Sequence, residues 1–129
     1  NSNQQFIYSL RRMLDPIKEH VDNNFNPLPA EYTKEFAPVR QKINDLMRMS
    51  CEQIETGRYE NYREILAEAD ACKDELSVLR KKHIDRIQHL SDNSLMQISL
   101  VYLNVLQESQ EFLSVMRHQL RAAKKFMEK

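Results

Sequence analysis

Two aspartates, Asp70 and Asp74, come closest in this sequence to the residue types and spacing of a metal site. They are four residues apart, so on a helix both carboxylates lie on the same face. Carboxylate oxygens suit hard cations, but such an ion needs several oxygen ligands that converge on it. A solvated carboxylate face has the same spacing, so the pair alone leaves both interpretations open.

The histidines and cysteines give less support for chemistry. None of the four histidines has a Glu three residues before it, which argues against the Glu-x-x-His pairs of ferritin-like metal centres. His83 falls on an apolar helical stripe, which predicts a hydrogen-bonded core or boundary histidine rather than a metal ligand. Cys51 and Cys72 flank the turn at Gly57 at heights that differ by roughly 13 Å, so we predict no disulfide. With a single glycine there is no phosphate-binding loop, and we predict no catalytic residues and no cofactor.

Basic residues cluster toward the ends of the last two predicted helices. One cluster is Arg80-Lys81-Lys82-His83 with Arg86. Cations near helix C-termini complement the helix dipole, which is sufficient to explain both clusters. The alternative is contact with an acidic lipid or an acidic partner. The second cluster supplies the residues for such a contact: Arg117, Arg121, Lys124 and Lys125.

Composition limits the classes of protein to which the chain can belong. Its 129 residues, 41% hydrophobic and 29% charged, suit one globular domain over 1–129. The 19 Lys and Arg balance the 19 Asp and Glu, which argues against a nucleic-acid partner. No apolar run approaches the roughly 20 residues needed to span a bilayer. Because the chain lacks an initial Met, we expect a fragment of a longer protein or a processed chain.

The elements that must position these residues are four amphipathic helices. The first is predicted over 2–23, with a kink at Pro16 that moves Asp15 out of helical geometry. The second begins between Pro29 and Ala37, with Pro38 near its first turn, and ends at Gly57. The third is predicted over 59–90. The fourth begins with a capping box, Ser94 and Gln97, and continues to the end of the chain.

Apolar stripes at helical spacing give the expected core. The fourth stripe is interrupted at Ser109 within the polar segment 107–111, and we expect the polar gap 108–110 to face Asp70 and Lys73 or a second chain. Short connections between long helices predict an all-α, antiparallel up-down bundle of four helices. The predicted stripes are Phe6, Leu10, Met13, Ile17 and Val21; Phe36, Val39, Ile43, Leu46 and Ile54; Tyr62, Ile65, Ala69, Cys72, Leu76, Leu79, His83, Ile87 and Leu90; and Ile98, Tyr102, Val105, Phe112, Met116, Leu120, Ala123 and Met127.

The second half of the chain resembles a known family. The segments 68–76 (EADACKDEL), 79–84 (LRKKHI) and 102–108 (YLNVLQE) are similar to the second half of a PhoU-like helical domain. That family comprises antiparallel helical bundles tied to bacterial phosphate uptake and its regulation. The resemblance covers roughly residues 36 to 126. The first helix and the Asn-Phe-Asn-Pro loop fit the branch found at the cytosolic C-terminus of sodium/phosphate cotransporter proteins.

The resemblance also implies a metal motif, a carboxylate followed four residues later by Asp, repeated on different helices. Asp70 and Asp74 match it on the third helix. Gln110 and Ser114 stand at the corresponding positions of the fourth helix, so both carboxylates are missing there. Glu108 and Glu111 would substitute for them only if the register shifts.

The sequence therefore predicts a regulatory or interaction domain on the cytoplasmic side of a bacterial inner membrane. It would act by helix packing against the membrane-embedded part of a sodium-dependent phosphate cotransporter. A homodimer through Tyr8, Leu113 and Phe126 is an alternative partner arrangement. The alternative functions are a metal-binding helical protein that uses Asp70 and Asp74, and a free-standing helical adaptor or sensor.

Overall fold

Four α-helices make up the fold. The computed structural model describes residues 2–128, and within them no strand is present. The helices are α1 (Ser2–Phe25), α2 (Ala30–Thr56), α3 (Tyr62–Gln88) and α4 (Asn93–Met127). The prediction of an all-α chain with four helices is confirmed. The predicted bounds differ from those observed by a few residues at most of the helix ends.

Neither internal proline interrupts its helix. The prediction that Asp15 leaves helical geometry is wrong, because α1 is continuous across Asp15 and Pro16. The prediction of Pro38 near the first turn is also wrong, since α2 begins at Ala30 and includes Pro38 well inside. Both prolines are exposed. Packing of buried residues on the opposite faces of α1 and α2 offsets the hydrogen bond that each proline removes.

One residue ends α2 and another begins α4 through local hydrogen bonds. Gly57 has φ 70° and donates its backbone N–H to the Gln53 carbonyl, as predicted for a left-handed C-terminal residue. The prediction of Ser94 as the N-cap of α4 is wrong. Asp92 is the N-cap, and its carboxylate accepts bonds from the Ser94 backbone N–H at 2.9 Å and the Ser94 hydroxyl at 2.8 Å. A carboxylate at this position also suits the positive end of the helix dipole.

The core is built around α4, which packs against the other three helices, while α2 also packs against α1 and α3. The whole predicted stripe of α2 is buried. The prediction of Met13, Ile98 and Met127 as core residues is wrong, because these side chains are 39–47% exposed. In α1 the inward position belongs to Leu14. The buried residues of α4 are Ser99, Tyr102, Val105, Leu106, Ser109, Phe112, Leu113, Met116, Leu120 and Ala123.

Candidate functional site

Asp70, the first of the two predicted metal ligands, forms an ion pair with Arg117. The Arg117 Nε lies 3.0 Å from Asp70 Oδ1, and Arg117 Nη2 donates to Asp70 Oδ2 at 3.2 Å. This two-point contact joins α3 to α4. Asp74 lies one turn further along α3 and is exposed. The Asp70 carboxylate, a candidate metal ligand in the sequence, therefore pairs with a guanidinium.

The positions expected opposite this pair do not bring oxygen ligands to it. Gln110 faces α3, where its amide nitrogen donates to the Lys73 carbonyl at 3.1 Å and to Ser77 Oγ at 2.8 Å. Its amide oxygen accepts from Arg80 at 3.0 Å. Ser114 is exposed. Within residues 2–128, no group of three or more His, Cys, Asp or Glu side chains is arranged to hold a metal ion.

The polar interruption of α4 is divided among three directions. Gln110 reaches the Lys73 carbonyl on α3, which confirms that part of the prediction. The prediction is wrong for Ser109, which is buried and donates to the Val105 carbonyl of its own helix at 2.7 Å. It is also wrong for Glu108, whose Oε2 lies 2.5 Å from Nδ1 of His20 on α1. A polar segment that spans three consecutive positions cannot face one neighbour, because successive helical residues are about 100° apart.

The four basic residues predicted to contact a partner or lipid fall into two groups. Arg117 is held by Asp70, and Lys124 forms an ion pair with Glu128 while its Nζ lies 5.0 Å from the ring centroid of Tyr62. Arg121 and Lys125 are exposed, and no described side chain bonds to either. An open groove of about 560 Å³ runs along the end of α4, beside the start of α3. It is lined by Tyr62, His118, Arg121, Ala122, Lys124, Lys125 and Glu128.

Of the three residues proposed for a dimer contact, two are available at the surface. Tyr8 is 67% exposed and Phe126 is 48% exposed. The prediction for Leu113 is wrong, since its side chain is fully buried. Leu113 follows Ser109 by four residues and precedes Met116 by three, so it belongs to the inward face of α4.

A partly buried polar cluster, which was not predicted from the sequence, joins α2, α3 and α4. Its centre is the Glu35 carboxylate, which is only 13% exposed. Arg86 Nη2 donates to Glu35 at 2.5 Å, Lys82 Nζ at 3.0 Å and the Tyr102 hydroxyl at 2.8 Å. Arg86 also contacts Glu31 at 3.2 Å. Three donors from two helices thus converge on one carboxylate of a third helix.

Two tyrosine rings, Tyr32 and Tyr102, border this cluster. Tyr32 and Tyr102 are stacked, with ring centroids 4.6 Å apart and an interplanar angle of 6°. The guanidinium carbon of Arg86 lies 4.8 Å from the Tyr32 centroid, which is a cation–π distance. The Tyr32 hydroxyl lies 3.1 Å from Ser99 Oγ, so the buried polar end of Tyr32 is also bonded.

His83 completes the cluster, and its partners fix its protonation. Its Nε2 lies 2.7 Å from the Ser99 carbonyl, so Nε2 carries the proton and donates. Its Nδ1 lies 3.0 Å from Arg86 Nη2, which can only donate, so Nδ1 accepts and the ring is neutral. The prediction of a bonded core histidine is confirmed. Burial holds the pKa of His83 below its usual value, despite the bond to Ser99, which favours the charged form.

The same contacts perturb the acids of the cluster. Burial raises the pKa of Glu35, but hydrogen bonds from Arg86, Lys82 and Tyr102 outweigh it, so that this pKa lies below its usual value. Burial and the Glu35 carboxylate raise the pKa of Tyr102, which keeps the phenol protonated as a donor. One signal in the sequence pointed to this cluster: Glu31 and Glu35 are four apart on α2, and Lys82 and Arg86 are four apart on α3. Residues four apart share one face of a helix, so α2 presents an acidic pair and α3 presents a basic pair. Opposite charges on two consecutive helices favour a contact between those helices.

Comparison of the chain with models of known protein families, with curated proteins and with solved structures finds no match. None of the helices within residues 2–128 has both the length and the apolar character that crossing a bilayer requires.

Proposed function

We propose that this chain is a cytosolic regulatory or interaction domain of a sodium-dependent phosphate cotransporter-type membrane protein. It acts by packing against the membrane-embedded part of that protein on the cytoplasmic side of the bacterial inner membrane. The proposal rests on the PhoU-like pattern of the second half of the chain. One structural observation supports its interaction role: Arg121 and Lys125, one helical turn apart near the end of α4, form an exposed basic surface on an open groove.

We also infer that the four helices run up and down in antiparallel order, as in PhoU-like bundles. Two contacts between α1 and α4 support this direction. The Phe6 and Phe126 rings have centroids 5.3 Å apart, and His20 meets Glu108 further along both helices. As the residue number rises on α1, that of its partner on α4 falls. The exposed surface of α4 therefore lies at the end of the bundle where α1 begins.

The interior polar residues fit a role in holding the helices together. Glu35, Arg86 and Tyr102 bond across three helices, and Gln110 bonds across the α3–α4 contact. Such bonds fix the relative positions of the helices, and a fixed shape is what an interaction domain offers to a partner. A bundle of this kind transmits a signal by a rigid shift of its helices against the neighbouring domain.

The test begins with the coding sequence upstream of residue 1. Several apolar stretches of about 20 residues are expected there. The full-length protein is then reconstituted in vesicles, and phosphate uptake is measured with and without a sodium gradient. Arg121→Glu/Lys125→Glu is compared with Lys34→Glu/Lys81→Glu, which changes the net charge equally at exposed positions elsewhere.

We expect the α4 variant to change the rate of sodium-driven uptake at least threefold, and the matched control to leave it unchanged. An upstream reading frame without membrane segments would refute the cotransporter assignment and favour the free-standing adaptor. Uptake that is the same in both variants and in the native protein would refute regulation through this surface.

A further inference from the structure

A pocket at the junction of α2 and α3 has an unbonded buried amide in its wall. The pocket has a volume of about 220 Å³. Gln53 lines it and is only 7% exposed, yet its Oε1 has no hydrogen-bond partner among the described residues. Buried polar groups in proteins are nearly always bonded, so we expect the missing partner to be a molecule in the pocket. The other lining residues are Met49, Glu52, Thr56, Arg58, Glu60 and Asn61.

Local hydrogen bonds fix the backbone that carries these side chains. The Thr56 hydroxyl donates at 2.9 Å to a carbonyl one turn earlier in α2, and it accepts from the Arg58 backbone N–H at 3.2 Å. A backbone bond of 3.2 Å closes the turn 59–62, which presents Glu60 and Asn61. The lining residues that follow α2 are therefore held in a defined loop.

Three charged side chains around the pocket have no ion-pair partner within residues 2–128. Glu52, Glu60 and Arg58 are exposed, and none of them pairs with a described residue. Elsewhere on the same two helices exposed charges do pair, as Lys42 and Glu75 do at 2.7 Å. Two negative charges and one positive charge give the pocket a net charge of −1.

The start of α3 adds hydrogen-bond donors to this pocket. Asn61 precedes α3 and makes no side-chain cap bond. The first backbone N–H groups of a helix have no partner within the helix, and the dipole there favours an anion such as a carboxylate. Arg58 and the start of α3 therefore suit an anionic group, whereas Glu52, Glu60 and Gln53 Oε1 suit cationic donors.

We propose that this pocket binds a free basic amino acid. The ligand carboxylate bonds to Arg58 and the start of α3, while its two ammonium groups bond to Glu52, Glu60 and Gln53 Oε1. A ligand of charge +1 balances the charge of the pocket. The volume is below the roughly 300 Å³ at which pockets for drug-sized ligands begin, which suits so small a molecule. A lone phosphate group would instead meet two carboxylates and leave the amide oxygen without a donor.

The pocket lies wholly within this chain, so it goes beyond the transporter assignment and does not depend on it. Titration of the 129-residue chain with L-lysine, followed by heteronuclear NMR, is the test. Two analogues each lack one group of the ligand: cadaverine has no carboxylate, and 6-aminohexanoate has no α-amino group. Lysine should bind with shift changes concentrated at residues 49–64. Each analogue should bind about tenfold more weakly, because it loses one charge-assisted contact.

Two variants separate a binding role from a structural one. Gln53→Leu should lower the affinity for lysine about tenfold. Its thermal unfolding midpoint should stay the same or rise, because Gln53 Oε1 bonds to nothing in the chain. Arg58→Gln should lower the affinity for lysine about tenfold but should not lower that for cadaverine. The matched control Arg12→Gln, which removes the same charge from an exposed position on α1, should leave both affinities unchanged.

Absence of lysine binding at millimolar concentrations would overturn the proposal. Equal losses in Arg58→Gln and Arg12→Gln would also overturn it, since general charge attraction would then explain the binding. Equal affinity for L-glutamate, or an unchanged affinity in Gln53→Leu, would contradict the assigned contacts. Each outcome is measured without a transporter, so failure here is distinguishable from failure of the uptake experiment.

Discussion

Removal of the Glu35 carboxylate tests directly how much the partly buried polar cluster contributes to the stability of the fold. In Glu35→Ala, Arg86 loses its closest partner at 2.5 Å, and the Tyr102 hydroxyl loses its acceptor at 2.8 Å. The Arg86 side chain is only 20% exposed, so water cannot fully replace the carboxylate. The variant thus leaves Arg86 with Glu31, at 3.2 Å, as its remaining carboxylate partner, and leaves an unbonded hydroxyl inside the contact of three helices.

The expected loss follows from these two changes. Removing one partner of a buried ion pair costs about 3–5 kcal/mol, and an unbonded buried hydroxyl costs about 1–3 kcal/mol. The contributions are not additive, and Arg86 keeps Glu31 at 3.2 Å as a second acceptor. We therefore expect Glu35→Ala to lower the free energy of unfolding by about 3 kcal/mol. Glu35→Gln keeps a neutral acceptor and should cost about half as much.

Urea unfolding followed by circular dichroism at neutral pH measures these differences. The matched control is Glu75→Ala, which removes the same side chain from another contact between α2 and α3. Glu75 bonds to Lys42 at 2.7 Å, but both side chains are largely exposed, so the loss should be far smaller. A loss below about 1 kcal/mol for Glu35→Ala, or one equal to that of the control, would refute the argument from burial.

Three further predictions follow from single residues. Because burial lowers the pKa of His83 below the unfolded value of 6.5, its stabilising contribution is complete above that pH and declines as the pH falls toward the folded pKa. His83→Gln should therefore flatten the pH dependence of urea unfolding just below pH 6.5, and a profile identical to that of the native protein would contradict this. Gly57→Ala should lower the free energy of unfolding by about 1 kcal/mol, because φ is 70° there, and a thermal unfolding midpoint equal to that of the native protein would contradict it. Burial raises the pKa of the Cys72 thiol to about 11, so iodoacetamide should modify Cys72 in the native chain more slowly than it modifies a free thiol. In urea, Cys72 should react at the free-thiol rate. Peptide mass spectrometry measures both rates, and native labelling at the free-thiol rate would contradict the prediction.

The sequence determined the local features of this protein. Apolar residues at helical spacing predicted four helices and the buried face of α2, because a helix presents every third or fourth residue on one side. Gly57 predicted its own left-handed conformation, since that backbone region favours glycine. The predicted N-cap of α4, Ser94, lies two residues after the observed one, Asp92, and a difference of this size is near the limit of what local patterns resolve.

The tertiary structure decided which polar residues meet. Glu35 and Arg86 are 51 residues apart, and Asp70 and Arg117 are 47 apart. Helical periodicity says which face a side chain occupies, but the partner depends on how far each helix slides along its neighbour. Packing of the whole apolar core sets that register. For the same reason only the folded chain shows that Arg117 and Lys124 are engaged, while Arg121 and Lys125 remain at the surface.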